Sequence, residues 1–526
     1  MSLNLEETAN GNGKANEENI EVETQQTTAS KPESATKKSK KDKKSKKSRD
    51  PSTLTPEYIE EQRRLRNLKK EQKRQELLAQ GINPDEASTP PNLKFIKRDF
   101  VSIPKQYGSS DSFKIKIMTY NVLAQALIRR KLFPTSGTAL KWTNRSVVLL
   151  DEFKHYDADI VCLQEMDFIQ YNSFWKQEFE KIGYSSKYYR EEAKNHGVAV
   201  AFKKDLFVCK QQSFIRYDRE KSGVISPRTV TQNVGLLVYL EFTPQVLQKY
   251  SNLSRNGIII GTTHLFWHPF GTYERSRQTY LVLKKFKEFY HTLSVLQNND
   301  RGFYSFFAGD FNSQPFDTPY LSIAAKPVKY SGRGQTVISC SLSYQFSKNR
   351  GVIEEDGDNE EEEGAEGEEE EGGNVEKFGT NQPKDPVPES FTPNQEQLEL
   401  VNDMEKLHND LDMRAVSLYS IGYKSIHPEN AGFDNERNEP IFSNWAHTWR
   451  GLLDYIFVIT KWDSQKEDYS QKVDSIEEVS SRDNVKLLKL LKLPMPKDMG
   501  PEPSGQPRTG QYPSDHLCLM AEVELN

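Results

Sequence analysis

Six short stretches carry polar, chemistry-bearing side chains at the ends of apolar runs. In chain order they hold Asn121 (MTYNVLAQ), Glu165 (CLQEMD), His264 (TTHLFWHP), Asp310 and Asn312 (AGDFNSQP), Asp454 (LLDYIF) and the pair Asp515-His516 (PSDHLCL). Each alone has a plain structural reading. A histidine after an apolar strand is commonly a satisfied core residue, GDFN could be an Asx turn, and a lone glutamate could cap the next helix. As a set they supply carboxylates, two amides and two imidazoles. Converging strand ends are where α/β architectures place active sites. Hard oxygen donors without a cysteine partner suit magnesium or manganese rather than zinc. Such a metal would polarise a phosphoryl oxygen, a carboxylate would orient or deprotonate water, and Asn and His would donate to the anionic transition state. The chemistry this constellation suits is attack on a phosphodiester. In the adjacent Asp515-His516 pair one acid could position machinery beside its imidazole, with the actual contact left to geometry.

These residues need strands to position them. FKIKIMTY (113–120), ADIVCLQE (158–165), HGVAVAF (196–202), NVGLLVYLEF (233–242), GIIIGTTHLF (257–266), YSFFAGDF (304–311), GLLDYIFVI (451–459) and LCLMAEVEL (517–525) read as mostly buried strands. Residues 276–297 show helical spacing. Many strands with interspersed helices and no regular βαβ rhythm predict an α/β chain of sheets packed on each other with helices outside.

The rest of the chain is less compact. Of 526 residues only 35% are hydrophobic and 28% are charged, and mean hydropathy is −0.77. Residues 1–54 are expected as a disordered tail, ending in KKSKKDKKSKKSR (37–49), which holds nine bases and one acid. That block reads equally as a solubilising tail and as a nuclear-localisation or RNA-phosphate tether. Thr55-Pro56 opens a basic helix over 55–82, solvent-exposed or docked on a partner such as RNA, and 83–112 is a linker into the main domain, 113–526. Residues 354–371 carry 13 acids and no base, so about 349–395 is expected as a disordered acidic insertion. Without residues 1–90 and 354–371 the net charge of −5 becomes mildly positive, which allows an anionic substrate without demanding one. Cys162, Cys209, Cys340 and Cys518 form no CxxC pair, which excludes a disulfide scaffold and a zinc ribbon and suits a reducing compartment. No membrane span or secretory signal is visible, so a soluble cytoplasmic or nuclear (including nucleolar) protein is expected.

The ordered series TYN, LQE, HLFW, GDFNS, LLDYIF and SDHL resembles the endonuclease/exonuclease/phosphatase superfamily over about residues 113–526, the acidic insertion apart. Within it the chain is most similar to the deadenylase branch of 3′ exoribonucleases, and there to the yeast Ngl RNA exonucleases. QALIRRKLFP, NHGVAVAF, HLFWHPFGTYER, GDFNSQPFDTPYL and NWAHTWRGLLDY carry that likeness, as do the Lys-rich tail and acidic insertion. The resemblance implies a DNase I-like four-layer sandwich of two packed mixed β-sheets flanked by helices. It implies a magnesium-dependent 3′-to-5′ RNA exonuclease, with manganese as a possible substitute, acting in ribosomal RNA 3′-end processing such as 5.8S maturation. The expected partner is RNA, in a rRNA precursor or pre-ribosomal particle, and a monomer is expected.

Position by position, the resemblance implies that Glu165 ligates the principal magnesium with Asn121 nearby. Asp310 and Asn312 hold water, scissile phosphate and a second metal if there is one. His516 meets the phosphate or that metal, Asp515 supports the arrangement, Asp454 supports it from behind or handles protons, and His264 donates to a non-bridging oxygen. Pro269, five residues after His264, and Trp449, five before Asp454, match the clamp that sandwiches a terminal base; Trp449 stands where phenylalanine is more familiar, and its bland alternative is a core tryptophan. No leucine-rich repeat precedes the domain, so docking through such repeats is not expected. Three readings stay open: the exonuclease, as ribosomal trimmer or poly(A) deadenylase; a small-molecule phosphatase or phosphodiesterase on the same fold; and a non-catalytic RNA-binding scaffold, whose signature would be a lost ligand. None of the series is lost.

Overall fold

The computed structural model describes residues 56–81, 87–298, 301–346, 384–433, 435–499 and 505–526. The expected tail 1–54 and most of the expected acidic insertion lie outside these residues. The chain divides into two units, 1–87 and 88–526. In the first, the helix Pro56–Ala79 begins at the proline and stops two residues before Gly81, whose φ of 71° suits a chain leaving a helix. Its described side chains are nearly all exposed, as its sparse apolar positions predict.

Among its described residues the second unit holds fifteen strands: β1 (Phe100–Ser102), β2 (Phe113–Asn121), β3 (Ile160–Asp167), β4 (Tyr184–Tyr189), β5 (His196–Lys203), β6 (Phe207–Arg216), β7 (Val234–Phe242), β8 (Gly257–His264), β9 (Tyr304–Asp310), β10 (Met413–Ser417), β11 (Asn444–Ala446), β12 (Trp449–Gly451), β13 (Asp454–Lys461), β14 (Val485–Leu491) and β15 (Leu519–Leu525). All eight expected strands are present, with ends shifted by a few residues. One sheet has the order β1-β14-β15-β2-β3-β5-β4 and the other β10-β13-β9-β8-β7-β6; β11 and β12 form a hairpin. Both large sheets are mixed, each with a parallel pair at its heart, β2 with β3 and β8 with β9.

Alternating side chains explain the layering. Ile115, Ile117, Ile160 and Cys162 of the first sheet face Leu236, Val238, Ile258, Ile260, Phe306 and Ile456 of the second in one central core. The opposite face of the first sheet (Met118, Val161, Leu163) packs on the helix Trp142–Tyr156 through Leu149 and Phe153. The outer face of the second (Leu237, Ile259, Phe307, Phe457) packs on the helix Thr272–Gln297 through Leu281, Leu283 and Phe286. The result is four layers, helix, sheet, sheet, helix. Burying one such side chain contributes roughly 1.5–3 kcal/mol, so a polar residue at Phe306 or Ile260 would split the two sheets. Residues 384–394, the described end of the expected insertion, lead into the helix Gln395–Asn409, which begins on a capping box between Asn394 and Gln397. Arg333 holds this lead-in by donating to the carbonyls of Val387 (2.6 Å) and Pro388 (3.4 Å).

Candidate active site

The two parallel pairs end at the same edge of the sandwich, and the polar residues sit there. His264, Asp310 and Asp454 occupy one rung across β8, β9 and β13: His264 pairs in register with Asp310, and Asp310 with Asp454. On the facing sheet Asn121 ends β2 opposite Gln164. Glu165 comes next on β3, where the register with β5 shifts between Leu163 and Met166, and its φ is 55°. A bulge re-aims a side chain, and left-handed backbone at a glutamate costs about 1–3 kcal/mol. The fold sustains that cost at the residue whose carboxylate meets Asn121.

Asn121 joins the sheets. Its Nδ2 donates to Glu165 Oε1 (2.8 Å) and to Asp310 Oδ2 (2.9 Å), while its Oδ1 accepts from the Leu123 N–H (3.1 Å). Glu165 Oε2 accepts from the Ala124 N–H (2.9 Å). Asp310 Oδ1 accepts from the Asn312 N–H (2.9 Å), and Asn312 Nδ2 is spent on the Leu265 carbonyl (2.9 Å), with φ at 45°. Asn312 therefore braces the Asp310 loop against the loop after His264. Asp310 Oδ2 is the focus: besides Asn121 it has His264 Nε2 at 3.5 Å and His516 Nε2 at 3.6 Å. His264 Nδ1 lies 4.0 Å from Glu165 Oε1.

The acid beside the imidazole of His516 is Asp454, not its chain neighbour Asp515. His516 Nδ1 lies 2.8 Å from Asp454 Oδ2, which also accepts from Ser443 Oγ (2.7 Å). Ser443 Oγ in turn accepts the N–H groups of Leu453 (3.0 Å) and Asp454 (3.1 Å). The Asp515 side chain faces Asn444 Nδ2 (3.5 Å) and Ser514 Oγ (3.3 Å), and its carbonyl accepts from the Trp445 N–H (2.8 Å). An isolated bridge between Asn444 and His516 fastens the β11–β12 hairpin to this loop.

The two histidines are driven apart in charge. Burial opposes protonation of His516, but Asp454 and Asp310 outweigh it and hold the imidazole well above its usual range. Burial, Lys194 and His516 push His264 well below it. The site thus pairs a cationic donor with a neutral imidazole, a division that acid–base chemistry uses. Burial pushes the Asp310 carboxyl up to about 7 against the pull of His516, and burial together with Asp515 raises Glu165.

Those raised carboxyls are what a buried acidic site shows when a cation would relieve it. Asp310, Asp454 and His516 have ligand atoms within 4.8 Å of one another, and Asp454 Oδ1 is buried without a hydrogen-bond partner. Glu165 is joined to this group through Asn121, which donates to both Glu165 Oε1 and Asp310 Oδ2, so carboxylate oxygens that suit a hard divalent cation gather at Asp310.

Trp449 is 48% exposed on the hairpin. Its ring covers Gly451, where a Cβ would come within 2.9 Å of its Cη2 and of Gln314 Oε1. It is not a core tryptophan. Pro269 is exposed in the loop after β8, and buried Arg275 pins that loop by donating to the carbonyls of Phe266 (3.0 Å) and His268 (2.6 Å).

Sequence reasoning missed the supporting groups. Arg145, fully buried, donates to the carbonyls of Val122, Leu123 (2.6 Å) and Pro513 (2.7 Å) and to Gln125 Oε1 (3.1 Å). It ties the loop after Asn121 to the loop before Asp515. A cation in the apolar pattern of LKWTNRSVVLL was the available signal. Ser443 carries no such signal, because its partner Asp454 is set by the hairpin's return.

The model of the Endonuclease/Exonuclease/phosphatase family matches residues 118–516. The chain is 53% identical over 478 residues to the RNA exonuclease NGL2 of Saccharomyces cerevisiae, covering 90% of this chain and 89% of that one. It is 36% identical over 495 residues to the probable RNA exonuclease C9B6.11c of Schizosaccharomyces pombe, covering 90% and 89%. A crystal structure of ANGEL2, a 2′,3′-cyclic phosphatase, superposes with a TM-score of 0.49 at 20% identity, over 82% of this chain and 99% of that one. From its match across the site and through both sheets, this chain is a member of the endonuclease/exonuclease/phosphatase family.

Proposed function

We propose that this protein is a magnesium-dependent 3′-to-5′ RNA exonuclease, acting as a monomer, that trims the 3′ ends of ribosomal RNA precursors. The observation that carries the reading is the focus on Asp310 Oδ2, where Asn121, His264 and His516 converge from three different strand ends or loops. Similarity to named RNA exonucleases over nine-tenths of the chain supports RNA as the substrate class. The clamp resemblance of Pro269 and exposed Trp449 supports attack at a terminal nucleotide.

Glu165, Asp310 and Asp454 would hold the cation. When bound, it supplies charge to offset that developing on the phosphoryl oxygens and helps activate water. The chain's own groups do the rest. Asp310, fixed by Asn121 and the Asn312 N–H, orients the attacking water in line with phosphorus. Neutral His264 donates to a non-bridging oxygen, and cationic His516, held by Asp454, donates as negative charge grows. Trp449 and Pro269 hold the leaving nucleotide, so one residue is released per cycle.

The test uses purified protein, magnesium and two 5′-labelled RNAs, one ending in poly(A) and one in a short extension of a ribosomal RNA 3′ end. Stepwise shortening that is lost with EDTA and in Asp310→Ala is expected, faster on the ribosomal end. Faster removal of poly(A) would make the protein a deadenylase instead. No shortening of either, with Asp310 still needed to release phosphate from a small ester, would overturn the RNA reading.

A further inference from the structure

The loop that follows Asn121 carries a charge pattern the catalytic chemistry does not use. From residue 122 to residue 150 there is no Asp or Glu, while Arg129, Arg130, Lys131, Lys141 and Arg145 are cationic. Arg145 is consumed inside the fold. Arg130 and Lys131 are exposed and Arg129 is half-buried, and among the described residues none of these three side chains has an ion-pair partner.

The loop's position is fixed by the site itself. The Ala124 N–H donates to Glu165 Oε2 (2.9 Å), and two residues further along β3 Asp167 accepts from the N–H groups of Gln125 and Ala126 (3.1 Å to Ala126). Arg129 is five residues beyond Ala124, so it lies within about 18 Å of it even along a fully extended chain. Ala126 and Leu127 share a small cleft with Lys194, Asn195, His196 and Gln232. The His196 ring lies 6.4 Å from the His264 ring, centroid to centroid, so this cleft adjoins the catalytic imidazole. The 190–196 loop is itself held to the first sheet, since the Phe168 N–H donates to the Asn195 carbonyl (2.8 Å). The strip Arg129–Lys131 therefore lies within chain reach of the cleft beside His264, whose own Lys194 is buried.

We propose that this strip lies on the path of the single-stranded RNA upstream of the scissile nucleotide, its backbone phosphates met by Arg129, Arg130 and Lys131. The proposal rests on the RNA exonuclease reading and adds to it where the body of the substrate lies. Phosphate contacts of this kind bring affinity without base preference and make it salt-dependent, by about 0.7 in log–log slope for each contact to a single strand. A substrate too short to reach the loop tip gains nothing from it.

The experiment compares wild type with the triple variant Arg129→Gln/Arg130→Gln/Lys131→Gln on a ribonucleotide 10-mer and on a dinucleotide. The ratio of kcat/KM for the 10-mer to that for the dinucleotide is expected to fall at least fivefold, through KM. A binding arm makes the test independent of turnover. In the Asp310→Asn background, the triple substitution is expected to lower the salt slope for 10-mer binding by about 2. An unchanged ratio with an unchanged slope would overturn the proposal, and so would equal loss on both lengths, which would mean the loop only shapes the catalytic site. If wild type shortens no RNA, the exonuclease reading fails on its own account, and an unaltered binding slope would then sink the strip as well.

Discussion

At the scale of single residues, the site depends on which atom each side chain addresses. Asp310→Ala removes the oxygen on which Asn121, His264 and His516 converge, and a fall of at least a thousandfold in kcat is expected with the fold and RNA binding retained. Retention of full activity would show the assignment to be wrong. Trp449→Ala should act differently. One stacked base contributes about 1–3 kcal/mol, so KM on RNA should rise between about fivefold and a hundredfold with kcat little changed, and Trp449→Phe should restore it. A loss confined to kcat would remove Trp449 from base binding. Every chemistry-bearing residue named from the sequence lies at or beside one end of the sandwich, because each closes, opens or flanks an apolar strand run and such ends are readable. What pairs with what was not readable. The sequence left open which acid meets His516, and it is Asp454, 62 residues earlier in the chain, that holds its Nδ1. That contact exists only because the hairpin and the last loop meet in space.

At the scale of elements, legibility followed burial. The eight strands found by pattern are those with nearly continuous apolar sequence. The others escaped for separate reasons: β4 (YSSKYY) and β6 (FVCKQQSFIR) are polar, partly exposed edge strands, β14 reads VKLLKLL and mimics helical spacing, β10 has five residues, and β1, β11 and β12 have three each. The outer helices hold a second legible-only-in-structure feature. Lys326, wholly buried, donates to the His408 carbonyl and lies 5.4 Å from the centre of the Trp462 ring. Burial pushes its ammonium down to about 7. Between that value and the ordinary 10.5 the unfolded chain keeps a proton that the folded chain has released, so stability falls as pH drops across this window. Lys326→Met should flatten the fall, by up to roughly 4 kcal/mol between pH 10 and pH 7. Denaturant melts at those two pH values measure it, and an unaltered difference would place the titration elsewhere.

At the scale of the whole molecule, the chain couples a mildly basic catalytic unit to a basic N-terminal segment. Residues 37–49 hold nine bases, and the helix Pro56–Ala79 adds seven more against five acids. Deleting residues 37–80 is expected to weaken binding to a ribosomal RNA fragment at low salt and to lower the salt slope, while a dinucleotide is cleaved as before. A slope that does not move would make the segment a solubilising tail. Among the described residues no helix is long and apolar enough to cross a membrane.

The single rung shared by His264, Asp310 and Asp454 has a consequence for how the gene can vary. Side chains alternate faces along a strand, so dropping or adding one codon within β8, β9 or β13 would turn a whole comb of residues over, aiming the catalytic group into the packed interior and an apolar one at the substrate. Exchanges of one amino acid for another can be absorbed around that rung one at a time; changes of length cannot. Tolerated indels should therefore gather in the connections, and the long acidic stretch is inserted between two outer-layer helices rather than in a strand that counts its way to the site.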